Sequence, residues 1–299
     1  MFSYTKKYVK IPTGETIAYI EKGTGKETVI LLHGNMASSV SMVTLMDKLS
    51  DQYRVIAPDL RGFGDSTYHH EWRMLSELAL DMVMFCRELN VTNAHVAGWS
   101  TGFGVALEWA AMAPDFVRSL FSIEGMSIKG YYSLRKDKEG NEVSAKVYQT
   151  FENMAEDPEM TVMHNAFINK DMKRIRAVWD KLLLVVKRPP VDELELYIEE
   201  NAKERCQLSV NWAWVNTNLS HERNPYRMGD GTVDKIKCPV TLTLADQDNI
   251  VVEKMILENY HGIPGAKLVR FSPCGHCVQI DCLDELTSAL LNHLKEAIN

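Results

Sequence analysis

Apolar and polar positions alternate along this chain in two rhythms, and the rhythm changes twice. Residues 8–11 and 16–20 flank Thr13-Gly14 and predict a hairpin. Residues 28–32 form a short apolar run that ends at His33-Gly34, and residues 54–57 form another that ends at Pro58-Asp59. Both predict buried strands, with a helical spacing at 41–49 between them. In 72–89 the residues Leu75, Leu78, Ala79, Met82, Val83, Cys86 and Leu89 recur at i, i+3, i+4 and i+7, which lays one apolar stripe along a helix. Residues 94–97 predict a strand running into Gly98. Residues 100–113 predict a helix stopped by Pro114, and 119–123 the next strand.

From about Ser127 to Gly231 the strand signals vanish. Helical spacing appears at 146–155, 172–186, 191–205 and 208–219, punctuated by Pro158, Pro189, Pro190, Pro225 and Gly229-Asp230-Gly231. This reads as an inserted helical subdomain, 127–231. Strands at 240–244 and 267–271 and helices at 253–260 and 281–298 then resume the first rhythm. Strand and helix in alternation imply an α/β core, 1–126 and 232–299, whose mostly parallel sheet carries helices on both faces.

Composition adds exclusions. The 45% hydrophobic and 24% charged residues are ordinary globular values, which rules out a disordered or fibrous chain. The 33 Lys and Arg against 40 Asp and Glu give a formal charge of −7, which argues against nucleic acid as the partner. No apolar stretch approaches the ~20 residues of a membrane span. No apolar run follows the basic Lys6-Lys7, so no secretory signal is expected. The expectation is a soluble, cytoplasmic protein whose six cysteines are free thiols. Nothing in the sequence sets an oligomeric state.

The strongest chemical signal is Gly98-Trp99-Ser100-Thr101-Gly102, a G-x-S-x-G between a strand and a helix. That context is what a nucleophile elbow requires: small flanking residues let the backbone turn sharply and leave the serine hydroxyl exposed at the sheet edge. A serine hydroxyl is a weak nucleophile, so it needs a base, and the base needs an orienting carboxylate. The base comes from nine histidines. His33, beside the first buried strand, and His276, between the last strand and the last helix, have the best context. His69, His70, His95, His164, His221, His261 and His293 fall on expected surface, helical or inserted positions. For the carboxylate, Ala245-Asp246-Gln247-Asp248 offers Asp246 and Asp248 just after a strand, and Glu124 ends another.

With these motifs the chain resembles the α/β-hydrolase family over nearly its whole length. His33-Gly34-Asn35 is similar to the family's HG-x oxyanion segment, and Asp59 to Ser66 to its D-x-R-G-x-G-x-S loop. The insertion resembles its cap, and the order Ser, acid, His agrees. The resemblance implies an eight-stranded α/β-hydrolase sheet, with Ser100 as nucleophile, His276 as base and Asp248 as acid. Ala245 stands where the family's acid segment usually has Gly. Asp246 and Glu124 stay open as alternative acids, since some members keep the acid after the sixth strand, and His33 becomes structural. It also implies an oxyanion hole from the backbone N–H groups of Asn35 and Thr101, a small-molecule ester as substrate, and neither metal nor organic cofactor. A lactone or a carbon–carbon bond of a diketone on the same residues, and a non-catalytic ligand-binding member, are the alternatives. A haloalkane dehalogenase would need a carboxylate where Ser100 stands.

Two further features carry weaker chemical signals. Cys274-Gly275-His276-Cys277 has the spacing of a redox or zinc motif, but too little chain follows for the rest of a thioredoxin-like domain, and no second pair completes four zinc ligands. Trp179, Trp212 and Trp214, with Met154, Met160, Met163 and Met172, are expected to pack the insertion, with some lining an apolar pocket. Trp99 is expected to pack, and Arg61 to be structural.

Overall fold

A computed structural model describes residues 3–132, 135–136, 142–143 and 146–298. Eight strands form one sheet: β1 (Lys6–Lys10), β2 (Thr16–Lys22), β3 (Thr28–Leu32), β4 (Arg54–Pro58), β5 (Ala94–Trp99), β6 (Val117–Ile123), β9 (Val240–Ala245) and β10 (Lys267–Phe271). Their order is β1-β2-β4-β3-β5-β6-β9-β10. β2 pairs antiparallel with both β1 and β4, and all other pairings are parallel. A two-stranded ribbon, β7 (Arg135–Lys136) and β8 (Glu142–Val143), interrupts the segment expected to lack strands. Two residues per strand are too few to make a periodic signal.

The central strands are apolar on both faces because helices cover both. In β3, Ile30 and Leu32 join the core under α2 (Leu75–Glu88), α3 (Thr101–Met112) and α9 (Glu253–Gly262). Val29 and Leu31 join the core under α1 (Val43–Leu49) and α11 (Leu283–Ile298). The alternation is the period of two that a strand imposes. Edge strands β1 and β10 are less buried. The expected helix at 281–298 is α11, and a short turn, α10 (Val278–Asp281), precedes it.

Between β6 and β9 lie α4 (Phe151–Ala155), α5 (Pro158–Ile168), α6 (Met172–Val178), a π turn (Trp179–Leu183), α7 (Val191–Asn201) and α8 (Gln207–Asn216). α5 sits where Pro158 reads as a break. Proline is tolerated at the first helical position, where its missing N–H costs nothing, and the Asp157 side chain caps this end by accepting from the Glu159 N–H at 2.9 Å. Residues 146–150 are not helical, and the other helices stop short of the expected ends.

Charged contacts tie this segment to the sheet. Lys6 Nζ, on β1, lies 2.8 Å from Asp59, 2.7 Å from Asp65 and 2.6 Å from Glu200 of α7. Lys203 reaches Asp65 at 2.8 Å. Among the described residues no helix is long and apolar enough to cross a membrane.

Candidate active site

The β5–α3 turn sets the geometry. Ser100 sits between strand and helix with φ 54° and ψ −119°, a region that costs an L-residue energy and holds its side chain out of the turn. The turn closes because the residues two before and two after Ser100, Gly98 and Gly102, lack side chains. A Cβ on Gly98 would lie 2.5 Å from the Phe103 backbone, and one on Gly102 would lie 2.5 Å from the carbonyl oxygens of Leu32 and His33. Thr101 opens α3, so its backbone N–H lies in the first turn, where amides have no partner within the helix and the dipole end is positive.

His276 follows β10. Its Nδ1 donates to Asp248 Oδ2 at 2.7 Å, and both side chains are buried. Asp248 Oδ1 accepts from the backbone N–H groups of Ile250 at 2.7 Å and Val251 at 3.0 Å. With Nδ1 committed as a donor, Nε2 of the neutral ring is left as the acceptor. Ser100 and His276 line the same cavity of about 400 Å³, together with Asn35 and Thr101. Four of the five residues expected at the site therefore line one cavity, and Asp248 holds the imidazole from its Nδ1 side.

The alternatives go elsewhere. His33 is fully buried; its Nδ1 donates to the Gly34 carbonyl at 2.7 Å and its Nε2 accepts from the Leu60 N–H at 3.0 Å. Burial holds its pKa below the usual value. Asp246 accepts from Ser272 Oγ at 2.6 Å and from the Cys274 N–H at 3.0 Å, which lower its pKa. It pins the loop that carries His276 and does not touch the ring. Glu124 is buried against Thr243. Arg61 is buried in a pair with Asp81 at 2.8 Å, as a structural role requires. His95 corrects the expectation of a surface, helical or inserted position: it lies on β5, buried and bonded to Ser119 at 2.7 Å, whereas His293 lies on the helix α11, as expected, and is buried against Thr241 at 2.8 Å.

Sequence reasoning missed the supports. The Trp99 indole N–H donates to the His276 carbonyl at 2.9 Å, and Asp281 accepts from the Gly275 N–H at 2.8 Å, so the base loop is held from both sides. Trp214 of α8 donates from its indole to Thr101 Oγ1 at 2.8 Å, and the Asn35 amide donates to Gln207 at 3.1 Å. Met160, Met163 and Trp214 line the cavity, whereas Met154 and Trp179 are packed inside and Met172 is exposed. All six cysteines are free thiols, and burial pushes those of Cys274 and Cys277 upward.

Among the described residues one group of oxygens, on Asp59, Asp65 and Glu200, lies close enough together to hold a cation. The Lys6 ammonium already occupies its centre, within 2.8 Å of each.

Residues 27–282 match the alpha/beta hydrolase fold family. Lipase 1 of Psychrobacter immobilis is 23% identical over 93% of this chain and 80% of its own length. Bifunctional epoxide hydrolase 2 of Sus scrofa is 24% identical over 96% of this chain, which spans about half of that relative, 55%. Among solved structures, an esterase from Exiguobacterium antarcticum superposes with a TM-score of 0.76 at 17% identity, covering 97% of this chain and 100% of its own. At that identity the likeness concerns the fold. The family match takes in the elbow, the Asp248 loop and His276 together, and this chain belongs to the alpha/beta hydrolase fold family.

Proposed function

We propose that this chain hydrolyses carboxylic esters of neutral, partly apolar compounds through Ser100, His276 and Asp248. The observation that carries the reading is the buried His276–Asp248 bond of 2.7 Å behind a cavity wall that also presents Ser100. Ser100 Oγ attacks the ester carbonyl while His276 Nε2 takes its proton. Asp248 stabilises the imidazolium and keeps Nδ1 protonated. The backbone N–H groups of Asn35 and Thr101 receive the oxyanion. His276 then returns the proton to the leaving alcohol, and a water that it activates frees the acyl group from Ser100. No step calls for a metal or an organic cofactor.

The helices between β6 and β9 act in this reading as a cap that shapes the substrate. Met36, Met126, Met160, Met163, Leu182 and Ile250 give the cavity apolar walls. The one lysine or arginine among the described lining residues, Lys146, is paired with Asp157. Neutral acyl groups are therefore expected to outperform charged ones. The resemblance to a lipase and an esterase supports the ester bond as the target.

The test is a panel of p-nitrophenyl esters of rising acyl length, run beside lactones, with wild type and Ser100→Ala. The wild type should release nitrophenol and be labelled by a fluorophosphonate. Ser100→Ala should lose several orders of magnitude in kcat and escape the label. Labelling that persists in Ser100→Ala moves the nucleophile elsewhere, and turnover of lactones alone replaces the ester.

A further inference from the structure

Glu124 directly follows β6, with a buried side chain and a backbone φ of 42°. Thr243 on neighbouring β9 holds it twice. Thr243 Oγ1 donates to Glu124 Oε1 at 2.8 Å and accepts from the Glu124 N–H at 2.9 Å. Glu124 Oε2 is buried and finds no donor. What the carboxyl faces instead is the carboxyl of Asp248, on the loop after β9.

An ionised Glu124 here would set two carboxylates against each other and leave a buried anionic oxygen without a hydrogen bond, which is costly on both counts. One proton on Oε2 removes both problems. The orphaned acceptor becomes a donor, and Asp248 is the acceptor in front of it. Burial first, and the charge of Asp248 second, push the Glu124 carboxyl well above its ordinary range, against the smaller lowering pull of the Thr243 hydroxyl and the Ala245 backbone. Cys274 is another titratable neighbour, its thiol raised chiefly by burial and by Cys282.

Asp248 has room for that donor. It accepts from His276 Nδ1 on Oδ2 and from two backbone N–H groups on Oδ1. A carboxylate offers about four such sites. We propose that Glu124 is a positioning residue: it stays protonated and donates Oε2–H to the Asp248 carboxylate, fixing the rotation that aims Oδ2 at His276. The proposal rests on the reading of Asp248 as the acid that orients His276. It places the second carboxyl of the site behind the triad, with Asp248 between it and the imidazole.

The test uses the full chain at pH 7. The infrared difference spectrum between wild type and Glu124→Gln should show the loss of one carboxylic-acid carbonyl band that shifts in deuterium oxide. This readout needs no turnover. In the ester assay Glu124→Gln, whose amide N–H replaces the donor, should keep kcat within about threefold. Glu124→Leu removes a hydrogen bond to a charged group and should lower kcat by roughly ten- to a hundredfold with KM little changed. In an Asp248→Asn background Glu124→Leu should cost almost nothing more, because the group it positions is already gone. Absence of that band from the difference spectrum overturns the proposal, as does a loss in Glu124→Leu that persists undiminished beside Asp248→Asn. If Glu124→Leu does not fold, the band and the Glu124→Gln kinetics still decide. Failure of the triad reading is distinguishable, because Ser100→Ala would then keep its turnover while the acid band stayed in place.

Discussion

The Nδ1–H of His276 has one acceptor, and the carboxylate that supplies it sets the role of every acid nearby. Asp248 holds that position. Asp248→Asn should therefore cost roughly 10⁴ in kcat by leaving the imidazole in the wrong tautomer. Asp246→Asn should cost about tenfold at most, through a looser Ser272–Cys274 loop, and steady-state kinetics of the two variants side by side check this. A crippling Asp246→Asn beside a mild Asp248→Asn would reverse the assignment. Ser100, His276 and the two aspartates were legible because each sits in a local motif beside a strand end. The supports were not. Trp99 and the His276 carbonyl are 177 residues apart in sequence, and Trp214 and Thr101 are 113 apart. Neither partner carries a pattern that names the other.

At the scale of elements, the passage of α3 beside β3 is the close approach that the elbow depends on. A Cβ on Gly102 would meet two backbone carbonyl oxygens at 2.5 Å, and neither can swing aside without moving β3. Two residues further on, a Cβ on Gly104 would meet Met126 Sδ at 2.3 Å and Leu75 Cδ1 at 2.7 Å, both near the ends of flexible side chains. Gly102→Ala should thus destabilise by about 1–3 kcal/mol or more and depress activity, and Gly104→Ala by clearly less, as read from denaturant midpoints. Equal losses would show that α3 can shift as a body. The same contrast explains which elements the sequence revealed. The sheet strands and their covering helices repeat a local rhythm over enough residues to be read. α5 was hidden because Pro158 stops a helix in mid-run but starts one when a capping Asp157 precedes it. In α8 the apolar residues fall almost all round the helix, because one side meets the core and another the cavity, so its ends were blurred.

At the scale of the whole molecule, several buried ionisable groups outside the triad tie stability to pH in opposite senses. Burial pushes the His95 and His293 values down to about 4 from 6.5. The unfolded chain then holds the extra protons between those values. Their contribution is complete above pH 6.5 and is lost as pH falls through about 4. Glu204 is the reverse case. Buried beside the Met36 N–H, which donates to Oε2 at 3.2 Å, and with Oε1 unpaired, it is raised from 4.5 to about 8. Here the folded state holds the extra proton, so the contribution is complete below pH 4.5 and is lost as pH rises through about 8. Glu108 acts in the same sense, raised to about 7 by burial. The two kinds oppose each other between pH 4.5 and 6.5. Above 6.5 the histidines are neutral in both states, and only the carboxyl contribution still changes. Stability should therefore decline between pH 6.5 and 8.5, with a slope of up to about 1.4 kcal/mol per pH unit for each such group. Melting temperatures measured across that interval should fall in the wild type and fall less steeply in Glu204→Gln, whose side chain cannot ionise. The variant's curve should meet or exceed the wild type at the alkaline end. A wild-type slope unchanged in Glu204→Gln would mean that Glu204 is already ionised in the folded protein at pH 6.5 and that the decline belongs to Glu108 or Glu124.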